Sequence, residues 1–302
     1  KAVKYYNKAL KQTPTNPEYR FHKAVAYQDW GKYRKAVKHY QQTLEADPAY
    51  TMALKRLGNI YYGIGAYGKA IDHYSRAVDA NPLDQDAFTL RGNAQAALGN
   101  LVEAITDFSQ VLILDAENAE AYYNRARVHF RNGDAYEAVK DFSMTLDRRP
   151  EDRDAWLNRG ISLLALGLHE QALEDLDHAL ALDSAFADTW WNRAYLLFEQ
   201  EAYAEANTAI DQAARLAPDD PQAWLLKGRI AFKERRYQVA VDAYDKCLAL
   251  DHRYAEAYLN RGEARRVLGD EGGACRDWKK VLKMDDGVHA EQAEKWIAIV
   301  CE

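Results

Sequence analysis

Alanine recurs every 34 residues along this chain, at Ala36, Ala70, Ala104, Ala138, Ala172, Ala206, Ala240 and Ala274. A fixed period of this length means one supersecondary unit stacked on copies of itself. Numbering the unit from Pro17, Thr51, Gln85, Ala119, Arg153, Ala187, Pro221 and Ala255 places those alanines at position 20. Position 8 is always Gly or Ala: Ala24, Gly58, Gly92, Ala126, Gly160, Ala194, Gly228 and Gly262. Two small residues at fixed places let two helices approach closely. Large residues fill the space around them, such as Trp156, Trp190 and Trp224 at position 4 and Tyr40, Phe108 and Trp278 at position 24.

The helix breakers agree with this unit. Gly31, Gly65, Gly99, Gly133, Gly167 and Gly269 all fall at position 15, where a helix C-cap is needed. All seven prolines lie at repeat boundaries. Pro17 and Pro221 follow Asn16 and Asp220, an N-cap with proline in the first turn. Each unit therefore reads as helix, turn, helix.

This pattern resembles the tetratricopeptide repeat family across essentially the whole chain. The resemblance implies an all-α fold, a right-handed α-solenoid of stacked antiparallel helix pairs, with a groove that binds extended peptides. Residues 1–16 match the second helix of a truncated first repeat, through Ala2, Tyr6, Ala9 and Pro14. Residues 17–288 hold eight consecutive units, and residues 289–302 read as a C-terminal capping helix with Ala293, Trp296, Ile297 and Val300 at helical spacing. The chain opens without a methionine in mid-repeat, which suggests a fragment with exposed apolar surface around Tyr6 and Leu10.

Arginine at position 7 (Arg91, Arg125, Arg159, Arg193, Arg261) looks at first like an anion site. Four of the five repeats also carry Asp107, Asp141, Asp175 or Asp277 at position 23, so an ion pair within the repeat explains the row better. Arg193 faces Ala209 instead and is the freer candidate. Acids at position 2, such as Glu18, Asp86 and Glu120, lie in a first helical turn, where they complement the helix dipole.

By resemblance, positions 2, 5, 6, 9, 12 and 13 of the first helices line the groove. Position 6 is asparagine at Asn124, Asn158, Asn192 and Asn260. A carboxamide can grip the N–H and C=O of a peptide bond. Asparagine also has poor helix propensity, so its repetition points to an asparagine ladder. Tyr123, Arg127, Trp191 and Tyr195 are expected contact residues, within a lining that includes Leu157, Phe198, Leu225, Leu226 and Phe232. Arg229 and Lys233 would suit an acidic stretch of ligand. The family's chaperone-carboxylate clamp is matched by Lys55 and Asn59 only, which argues against that mode.

Cys247 reads as a core thiol. Cys275 and Cys301 could lie level across a terminal helical hairpin turning near Gly287. They then form either a disulfide stapling the cap, in an oxidising compartment such as a periplasm, or two free thiols in the cytoplasm. No histidine has metal-site spacing, and no phosphate loop or nucleophile motif is present, so neither enzymatic activity nor a cofactor is expected. The net charge of −6 disfavours non-specific nucleic-acid binding, and no apolar run is long enough for membrane insertion. The leading expectation is a non-catalytic scaffold with a protein or peptide partner. The alternatives are homo-oligomerisation through the open N-terminal edge, or the regulatory part of a larger protein. The mixture of Asn-Arg-Gly and Asp-rich second helices resembles bacterial repeat proteins more than eukaryotic co-chaperones.

Overall fold

The computed structural model describes residues 2–284 and 287–301, and among them there are eighteen α-helices and no strand. Lys1 and Glu302 lie outside the described residues. So do Asp285 and Asp286, where the turn before the last helix was expected. The chain divides into two compact units, Lys1–Pro150 and Glu151–Glu302. The first holds α1 (Ala2–Gln12), α2 (Pro17–Asp29), α3 (Tyr33–Ala46), α4 (Thr51–Gly63), α5 (Tyr67–Ala80), α6 (Gln85–Leu98), α7 (Leu101–Leu114), α8 (Ala119–Arg131) and α9 (Ala135–Arg148). The second holds α10 (Arg153–Ala165), α11 (His169–Leu182), α12 (Ala187–Glu199), α13 (Tyr203–Leu216), α14 (Pro221–Lys233), α15 (Tyr237–Leu250), α16 (Ala255–Val267), α17 (Glu271–Leu282) and α18 (Gly287–Val300). Within each unit every helix packs on its neighbours in sequence, so each is an α-solenoid.

The helix ends follow from local chemistry. Asn16, Asp84, Asn118 and Asp152 each accept the N–H of the third residue onward, closing the open first turn. The position-15 glycines end the first helices in the left-handed region, Gly31 at φ 71° and Gly99 at 96°. Two repeats lack that glycine, and there Glu201 and Arg235 take φ 60° and 61° at the steric cost of a β-carbon.

The small residues at positions 8 and 20 are buried against the ring or branched side chain at position 24. Gly262 faces Trp278, whose indole N–H donates to Leu259 O at 3.2 Å, while Ala194 packs in one cluster with Ile210. Cys247 is buried in the core, which raises its thiol pKa to about 12.

The position-7 arginines pair as the sequence suggests, and do more. Arg125 holds Asp141 through Nε and Nη2 at 2.7 and 2.8 Å, and Arg159 holds Asp175 at the same distances. Each of these carboxylates is buried, so the fork geometry offsets its desolvation. A third contact ties neighbouring repeats together. Arg91 Nη1 donates to Ser75 and Arg125 Nη1 to Ser109, both at position 25 of the preceding repeat. That position corrects the expectation for Arg193, which is not free: its Nε donates to Asp177 at 2.7 Å. Lys227 likewise reaches Asp211 at 2.6 Å.

Cys275 and Cys301 are joined by a disulfide, with Cα atoms 5.8 Å apart, and the bridge fastens the end of α18 to α17. Trp296 stacks on Trp278 beside it.

Candidate binding grooves

The first helices of the N-terminal unit enclose an open groove of about 750 Å³. Helices α2, α4 and α6 supply its walls, and Asn118 and Glu120 close one end. The lining comes from helix positions 2, 5, 6 and 9, which recur on one face because 3.6 residues make a turn. Phe21, Val25, Met52 and Leu90 give it apolar surface. Its polar groups differ in how committed they are. Lys55 is held by Asp84 at 2.8 Å and by Asp86 at 3.5 Å, so its charge is spent within the protein. Arg56 is exposed, and among the described residues no carboxylate pairs with it. Asn59, which also lines the groove, accepts the Tyr74 hydroxyl at 2.6 Å through Oδ1, and that bond fixes the carboxamide. The groove lining carries both signs of charge, Asp86 and Glu120 on one hand and Arg56 on the other.

The C-terminal unit has a smaller recess of about 330 Å³, lined by Phe198, Arg229, Phe232, Lys233, Tyr244, Asn260 and Glu263. Three of the expected site residues, Arg229, Lys233 and Asn260, meet there. Arg229 lies 4.8 Å from the Phe198 ring and 3.8 Å from a Glu256 oxygen, so it is partly engaged. Lys233 is exposed.

The other expected residues are distributed as follows. Asn124 is half-buried on α8 in the N-terminal unit. Asn158 and Asn192 sit at matching places on α10 and α12, and each donates Nδ2 to the carbonyl four residues back, at 2.6 and 2.8 Å. Those bonds spend a donor on the residue's own helix, which explains how a poor helix former is tolerated there. Trp191 and Tyr195 stack face to face with centroids 5.5 Å apart, half-buried against the core of the C-terminal unit. Tyr123 packs edge-on against Phe142, and the exposed Arg127 lies 5.8 Å from the Tyr123 ring. Leu157, Phe198, Leu225 and Leu226 are buried, contrary to the expectation that they are open groove surface. Leu157 and Leu225 at position 5, Leu226 at position 6 and Phe198 at position 12 border the core-facing stripe, and at these repeats their side chains turn into it.

Sequence reasoning missed the larger groove. It searched for one residue repeated along the helices, whereas Phe21, Lys55 and Thr89 share position 5 with three different chemistries. The available signal was Met52, an exposed apolar residue at position 2, which is acidic in most repeats.

The family described as Tetratricopeptide repeat matches residues 21–85, 136–186, 157–221 and 191–251, and related repeat profiles match 92–133 and 119–151. The chain belongs to the tetratricopeptide repeat family, whose members typically serve as interaction scaffolds. A tetratricopeptide repeat protein from Parabacteroides merdae is 21% identical, with 83% of this chain and 99% of that chain covered and a TM-score of 0.64. The Cut9 and Hcn1 hetero-tetramer of APC/C gives 17% identity, 99% and 58% coverage and a TM-score of 0.62. YrrB, described as having an unusual peptide-binding site, gives 21%, 61% and 95%, and 0.52. At these identities the likeness is one of fold. Among curated proteins none matches the sequence.

Proposed function

We propose that the chain is a non-catalytic scaffold that holds an extended segment of a partner protein against the grooves of its first helices. The 750 Å³ groove of the N-terminal unit carries this reading. Its apolar surface suits hydrophobic side chains, and Arg56 suits a carboxylate at one end of the ligand. Asn124, Asn158, Asn192 and Asn260 are proposed main-chain contacts, with Tyr123, Arg127, Trp191 and Tyr195 as flanking contacts. Arg229 and Lys233 would take an acidic group in the smaller recess. Acids at the groove's edge, Asp86 and Glu120, disfavour nucleic acid there. The Cys275–Cys301 bridge is compatible with an oxidising compartment such as a periplasm.

The test is selection of a displayed random-peptide library on the whole chain. Selected peptides are then measured on two variants, Arg56→Glu with Leu90→Asp, and Asn124→Ala with Asn158→Ala and Asn192→Ala. Loss of about tenfold or more on the first variant supports the groove. Loss on the second supports the asparagines. Peptides bound equally by wild type and both variants would sink the proposal. A second reading, self-association through α1, is favoured by the absence of any buried residue on that helix and by its exposed Tyr5. Sedimentation across a concentration series separates the two.

A further inference from the structure

The net charge of −6 conceals an asymmetry, because positions 2 to 69 carry twelve Lys and Arg against four Asp and Glu. Much of this excess gathers at one place in the N-terminal unit. Lys32, Arg34, Lys35 and Lys38 stand exposed on the turn between α2 and α3 and on the outward face of α3. Among the described residues no carboxylate lies within ion-pair distance of any of the four, whereas Lys55, Arg91 and Arg125 in the same unit are all paired. The field reaches inward: burial, then the charges of Arg20 and Lys38, hold Lys23 below the usual lysine range.

Aromatic rings stand among these cations. Trp30 is 66% and Tyr33 56% exposed, a large apolar area to leave in water without a partner. A depression of about 400 Å³ follows Trp30 in the chain, lined by Gly31, Lys32, Tyr33, Arg34 and Lys35. Along the same edge Ile64, 71% exposed, and the exposed Leu98 hold the place of Trp30 in the next two repeats.

The shape and chemistry select the partner. The patch is formed by a turn and one outward helix face around an open depression, so it is presented to a flat surface rather than walled by facing helices as the groove is. Tryptophan and tyrosine favour the headgroup level of a bilayer. Lysine and arginine near an anionic leaflet are attracted to it. Ile64 and Leu98 gain from the acyl boundary and would gain nothing from a sugar–phosphate chain. We propose that this edge docks peripherally on an anionic lipid bilayer. Lys32, Arg34, Lys35 and Lys38 face the phosphate headgroups, and Trp30 and Tyr33 rest at the headgroup level. No helix of the described residues is long and apolar enough to cross the bilayer, so the contact is peripheral. This surface is separate from the groove, and the proposal stands whether or not the groove binds peptide.

The experiment is co-sedimentation of the whole chain with phosphatidylcholine vesicles, with and without a one-third share of phosphatidylglycerol. Wild type should partition onto the anionic vesicles only, and less so as salt is raised. Replacing Lys32→Glu, Arg34→Glu and Lys35→Glu should lower partitioning about a hundredfold or more. Replacing Trp30→Ala and Tyr33→Ala should lower it severalfold while keeping the salt dependence. Circular dichroism of both variants establishes that the helices are intact, and all the changed side chains are exposed. Wild type that stays in solution overturns the proposal, as does a charge variant that binds like wild type. Release of bound wild type by homopolymeric RNA would also overturn it, and would assign the patch to nucleic acid.

Discussion

At Gly58 the space for a β-carbon is already taken. A Cβ placed there would lie 2.7 Å from both Cδ1 and Cζ of Tyr74, well inside a real carbon contact. The preceding repeat meets the same geometry with Ala24, and there the Tyr40 hydroxyl donates to Gln28 at position 12. With glycine, Tyr74 instead reaches Asn59 at position 9. Gly58→Ala should push Tyr74 toward the pose of Tyr40, where position 12 is Tyr62 and no carboxamide accepts it. Overpacking costs about 1–3 kcal/mol. The lost hydrogen bond costs about 1 kcal/mol. Better helix propensity returns about 1 kcal/mol. The net loss is about 1–3 kcal/mol, felt in α4 and α5. Stability in a repeat array is not a single number, so hydrogen exchange by repeat is the assay. Protection of α4 and α5 should fall about tenfold to a hundredfold. Gly160→Ala is the control, because its nearest atoms lie at 3.2 and 3.3 Å and need yield only slightly. If Gly58→Ala protects α4 and α5 as well as wild type, the ring at position 24 does not dictate the residue at position 8.

Three further outcomes follow from features described above. Cys301→Ser should destabilise the C-terminal end by up to about 3.5 kcal/mol, from the loop closed by a bridge of sequence separation 26, and exchange in α18 should rise first; unchanged exchange would refute the stapling role. His39 and His73 stack on Tyr27 and Tyr61, and burial, the largest cause for each, lowers their pKa below the ordinary value near 6.5. The unfolded chain therefore takes up protons first, so stability is full above about pH 6.5 and falls as pH drops toward the folded values; the double variant His39→Gln, His73→Gln should flatten the urea midpoint between about pH 7.5 and 5.5. Glu201→Gly and Arg235→Gly should each stabilise by about 0.5–1 kcal/mol, because glycine relieves a left-handed backbone that costs other residues more, and a lower midpoint in either would contradict this.

The helices, their caps and the pairing of Arg91, Arg125, Arg159 and Arg261 with aspartate were legible because each rests on residues at fixed spacing within one repeat. Arg193 was misread because its partner, Asp177, belongs to the repeat before, and a within-repeat comparison never sets the two side by side. Leu157 and Leu225 were placed on the groove because position 5 borders it. One position turns a helix by about 100°, so a side chain at that border goes either way according to the size of its neighbours. The groove itself was hidden by variety: a periodic search finds what recurs, and this surface is made of residues that do not.

The serine contacts at position 25 also bear on how the N-terminal unit deforms under load. Arg91 and Arg125 clip the third full repeat to the second and the fourth to the third. At the junction of the first two full repeats position 7 is Leu57, which is buried and has nothing to clip. That joint is held by apolar packing of Phe21, Ala53, Leu54 and Leu57, together with an Arg76 bond to Pro48 O at 3.4 Å. Apolar contacts slide at little cost, whereas a directional hydrogen bond from a guanidinium already fixed by its own forked ion pair resists shear. Bending compliance is therefore concentrated between α2 and α4, two of the three helices that wall the groove, and the spacing of that pair is the dimension most easily changed.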